Sequence, residues 1–167
     1  MNNKNNNHPL DPRWVGTIFF AVFGFCFLLL TKYILLSLQQ SAVMPFLPSL
    51  LVALITGGLL GYIFGPFLIY PKHWLSIFLI GFIIAIIALI LVSLAIILHL
   101  YFYDLTLINR IHHWQDYFIF YGTIFLSLTL ILGFWLALFT GLACVYFNKR
   151  FWPTLLAIDK NSKSNTP

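Results

Sequence analysis

The side chains with chemistry to offer gather in one part of the chain: His99, Asp104, His112, His113 and Asp116. His112 and Asp116 are four residues apart and His113 and Asp116 three apart, so on a helix either pair shares a face. An imidazole beside a carboxylate suits a metal ion or a base-and-acid pair, which makes His112, His113 and Asp116 the candidate ligands. Two or three such groups do not complete a metal centre. The plainer use of the stretch is to solvate an interfacial loop, with Arg110 as the counter-charge. A haem held by His99 would need a second histidine facing it at similar depth, and no other apolar run has one in its interior.

Elsewhere the sequence offers little reactivity. Proton- or ion-coupled transporters hold ionisable groups in mid-membrane, and the interiors of the apolar runs have none suited to that role. Thr56, Ser93, Ser127, Thr129 and Thr140 fall within those runs, where hydroxyls bond a carbonyl one turn back. Cys26 and Cys144 read as small buried hydrophobes rather than a disulfide pair or metal ligands. Three families of small four-span proteins do not fit. Lipoprotein signal peptidases set a catalytic aspartate pair within Asn-Asp and Gly-Asn motifs, which Asp104 and Asp116 lack. Disulfide-generating quinone reductases need cysteine pairs in outer loops, and small drug exporters need an embedded glutamate, whereas this sequence contains no Glu. The reading is therefore non-enzymatic, with no cofactor. The net charge of +5 comes from scattered Lys and Arg, not basic clusters interleaved with aromatics, which excludes nucleic acid as a partner.

The elements that position these residues follow from composition. Of 167 residues, 61% are hydrophobic and 8% charged, and the mean hydropathy is +0.95, too apolar for a water-facing fold. We expect an all-α integral membrane protein with four transmembrane helices in an antiparallel up-down bundle. The spans cover about 14–38, 45–70, 75–103 and 117–147, each long enough to cross a hydrocarbon core of about 30 Å at about 1.5 Å per residue. Between the third and fourth, DLTLINRIHHWQD has the spacing of a short outer interfacial helix. Residues 1–13, rich in asparagine, read as a disordered head. Pro153 discourages helix beyond the fourth span, so 151–167 reads as a polar tail flanking the single 14–150 domain.

Orientation follows from charge. Lys4, Arg13, Lys72, Lys149, Arg150, Lys160 and Lys163 fall on one side and Lys32 and Arg110 on the other, so the positive-inside rule places both termini in the cytoplasm of a cell inner membrane, with the histidine stretch outside. Two small-residue stripes then stand out: Gly57, Gly61 and Gly65 in the second span, and Gly133, Ala137 and Gly141 in the fourth. Such stripes let backbones approach, which is a principal source of helix attraction in lipid. Because both spans run the same way and hold their stripes at similar depth, the sequence predicts that they pack on each other. Packing stripes with almost no reactive groups point to an accessory, assembly or scaffold subunit of a larger membrane complex, such as an export or secretion apparatus. The expected partners are the bilayer and other membrane subunits or further copies of the chain. The alternative is a homo-oligomeric channel or transporter for small solutes.

Overall fold

The computed structural model describes residues 11–37, 45–70, 73–103 and 114–164, and within them every long element is helical. Four helices are long and apolar enough to cross a membrane: α1 (Pro12–Ser37), α2 (Phe46–Leu68), α3 (Trp74–Tyr103) and a fourth that runs unbroken from Trp114 to Asn161 and on to Ser164. The fourth comprises α4 (Trp114–Leu128), a π-helical turn (Thr129–Gly133), α5 (Phe134–Tyr146), a second π-helical turn (Phe147–Phe151) and α6 (Trp152–Ser164). Runs of Leu, Ile and Phe without interrupting charge favour this outcome, since a segment out of water must satisfy its backbone internally and an α-helix does so within itself.

Helix ends differ from the sequence expectation at two places. The first helix begins at Pro12, not Trp14, because Asp11 and Pro12 form its start: the Asp11 carboxylate accepts the Arg13 amide at 2.9 Å, and proline is preorganised for the first helical position. The last helix does not stop before Pro153. A proline ring ordinarily clashes with the carbonyl four residues back. Here the preceding π turn widens the helix, with the Trp152 N–H donating to the Phe147 carbonyl, and the helix passes through Pro153 to Ser164. The presumed polar tail is therefore largely helical. The expected interfacial helix falls mostly on residues 104–113, outside the described residues, and α4 already begins at Trp114.

The helices associate as two antiparallel pairs. In the first, Gly16 of α1 lies against Gly61 and Gly65 of α2, and Gly24 against Ala53 and Gly57, so contacts advance along one helix as they retreat along the other. In the second, Gly81 of α3 lies against Thr140 and Gly141 of α5, and Leu89 reaches Gly133. The pairs join at the end that carries the start of α1. There Phe20, Leu60, Leu68, Ile77, Ile84, Cys144 and Phe147 form a shared core, and Phe19 packs its ring on Phe147 and Phe151 at 5.0 Å each. Asn148 ties the same end: its amide donates to the Leu68 carbonyl and, at 3.1 Å, to the Tyr70 carbonyl. Those carbonyls close α2 and lack helical partners of their own.

Candidate functional site: an apolar cleft between the helix pairs

Burial is unequal along the molecule. The fully buried apolar side chains Phe147, Leu68, Ile77 and Cys144 all sit at the joined end, Ser93 is fully buried farther along α3, and α4 has no buried residue. α1 has none beyond Phe20, and α2 none before Gly58, among the described residues. The two pairs therefore part toward the far end, and a cleft of about 260 Å³ lies between them. It starts on Phe20, Leu60, Ile84 and Thr140 near the shared core. From there it extends to Lys32 on α1, Ser49 on α2, Ile96 on α3 and Leu128 at the end of α4. Twelve residues of α1 separate Phe20 from Lys32, a length of about 18 Å at 1.5 Å per residue.

The lining is hydrocarbon with a polar end. Its polar side chains are Thr31, Lys32, Ser49, Thr56 and Thr140, and three of the five cluster at the far end. Two of those three direct their hydroxyl protons back into their own helices: Thr31 to the Phe27 carbonyl at 2.9 Å and Ser49 to the Pro45 carbonyl at 2.8 Å. Lys32 supplies the positive charge of the lining. Nothing here activates a nucleophile or a water, and among the described residues no three His, Cys, Asp or Glu side chains group in a way that could hold a metal ion.

The π turn at Thr129–Gly133 shapes one wall. Leu128, Leu132, Leu136 and Thr140 all line the cleft at steps of four residues. In an uninterrupted α-helix three such steps drift by about 120° around the axis, and one extra residue in a π turn takes back about 100° of it. The four side chains thereby stay on one face. Nothing in the sequence pattern signals this turn.

The sequence-predicted site residues fall as follows. His112 and His113 lie outside the described residues; Asp116 sits half-buried in the first turn of α4. Gly57, Gly61 and Gly65 face α1, contrary to the predicted pairing of the second span with the fourth, and Gly141 faces α3 with the Phe78 ring over it. Gly133 meets Leu89 of α3 and Thr129 of its own helix, and Ala137 is buried in α5, whose principal neighbour is α3. The reason is placement. α1 packs its aromatic side on the fourth helix through Phe19, Phe20 and Phe27, and α3 touches both α2 and the fourth helix, which leaves α2 and the fourth helix diagonal to each other. Sequence reasoning overlooked the partners Gly16, Gly24 and Gly81. The eight-residue spacing of Gly16 and Gly24 was a usable signal, since two four-residue steps stay within about 80° on one side of the helix. Cys26, read as buried, is exposed on α1, while Cys144 is buried.

Comparison with protein-family models, curated proteins and solved structures finds no match to this chain.

Proposed function

We propose that this chain is a non-catalytic, multi-pass protein of the cell inner membrane, its helices forming an up-down bundle with both termini cytoplasmic. In this reading it serves as an accessory or assembly subunit whose partner is a transmembrane helix of another protein. The observation that carries the reading is the unpartnered outer surface of α4. Its fifteen residues are strongly apolar yet none is buried, and a Cβ placed on Gly122 meets no atom within 4 Å. Thr123 and Ser127 are also exposed on α4. The notch at Gly122 gives lipid chains little to pack on but admits another helix backbone closely. The two stripes read from sequence are consumed inside the chain, which leaves this notch for a partner. The basic residues Lys149 and Arg150, exposed at the other end of the fourth helix, suit the cytoplasmic face.

The test is the composition of the full-length protein extracted from its native membrane in mild detergent. A second membrane protein at fixed stoichiometry, lost on Gly122→Leu while the chain itself keeps its thermal stability, supports the reading. A particle made of this chain alone in several copies moves the assignment to the homo-oligomeric alternative, and a lone monomer refutes both.

A further inference from the structure

We infer that the cleft between the helix pairs is a binding site for one anionic phospholipid of the leaflet nearest Lys32, with an acyl chain lying in the cleft and the phosphate at the lysine. The inference rests on the membrane-spanning reading but not on the proposed partner subunit. Its first support is dimensional. The cleft runs about 18 Å from Phe20 to Lys32, and one leaflet of hydrocarbon is about 15 Å deep. Lys32 lies twenty residues from Pro12, about 30 Å along α1, which sets its ammonium at the far boundary of the hydrocarbon when Pro12 marks the near one.

The second support is chemical. Apolar cavities of about 150 Å³ stay dry and take up apolar ligands, and this one, at about 260 Å³, is bordered by bilayer rather than water. Empty space there forfeits dispersion contacts on every lining atom, so a hydrocarbon chain is its natural filling. Three of the five polar side chains of the lining stand at the far end, where a headgroup belongs, and the charge there is positive. Thr31 and Ser49 donate their hydroxyl protons to carbonyls of their own helices, and Lys32 carries the positive charge of the lining.

The experiment uses the full chain in nanodiscs of equal phosphatidylglycerol and phosphatidylcholine with matched acyl chains, released and weighed by native mass spectrometry. One retained lipid per chain is expected, enriched in phosphatidylglycerol. Lys32→Gln should reduce that enrichment about fivefold, the contribution of one basic side chain near a membrane surface, and Lys32→Arg should preserve it. Ala88→Phe, which pushes a ring into the cleft, should abolish retention of both lipids. If that variant does not fold, the Lys32 pair decides alone. Enrichment unchanged by Lys32→Gln, retention of free fatty acid in place of phospholipid, or no retained lipid overturns the inference.

Discussion

A methyl group added at Gly61 should separate α1 from α2, whereas one added three residues earlier at Gly58 should do almost nothing. The Cβ of Gly61→Ala would fall on the Gly16 carbonyl oxygen, 2.6 Å from its carbon and 3.0 Å from the Phe20 Cβ. Ordinary carbon contacts sit at about 3.5–4.0 Å, and the obstacle is backbone, so the helices must part by about 1 Å. A gap of that size forfeits up to about half of each contact's dispersion energy along the interface. We therefore expect a loss of about 2–3 kcal/mol, the upper part of the range for overpacked sites. The Cβ of Gly58→Ala would instead meet Thr17 Cγ2 at 3.5 Å and Ala21 Cβ at 4.0 Å, ordinary contacts that predict a change within about 0.5 kcal/mol. Reversible unfolding in mixed detergent micelles, followed by tryptophan fluorescence, measures both. A Gly16→Ala, Gly61→Ala double variant should lose less than the sum of the singles, because the first methyl has already parted the helices. Equal losses at Gly58 and Gly61 would refute the pairing of α1 with α2 through these glycines.

Two other substitutions probe the second pair and the joint between pairs. Gly81→Ala should destabilise more than Gly141→Ala in the same assay: the first methyl meets the Gly141 backbone at 2.6 Å, whereas the nearest atoms to the second belong to the Phe78 ring, a side chain that can turn aside. Asn148→Leu should cost about 1–3 kcal/mol by leaving the Leu68 and Tyr70 carbonyls without their donor. Asn148→Asp should cost more, since it sets an acceptor against acceptors; a stability equal to the unmodified chain would show that these bonds do not hold α2 to the fourth helix.

Much of the architecture is written in composition. Long apolar runs leave helix as the way to satisfy the backbone, so four helices of spanning length, their approximate limits and the proline at the start of α2 are legible residue by residue. So is the importance of Gly57, Gly61 and Gly65, because a missing side chain is a local property. Which helix meets that stripe is not local. Sequence depth alone made the fourth span an equally good partner, and only the ring of neighbours, with α1 and α3 between them, sets α2 and the fourth helix diagonal. Asn148 looks like the polar end of a span until its amide is seen on the Leu68 and Tyr70 carbonyls, 80 and 78 residues away. The passage through Pro153 and the leucine wall of the cleft depend on π turns, which add a residue without a compositional mark. The cleft is the clearest case. Each of its residues reads as ordinary membrane core, and Lys32 as a side chain reaching for the surface. A void is a property of how two helix pairs diverge, and no single segment encodes that divergence.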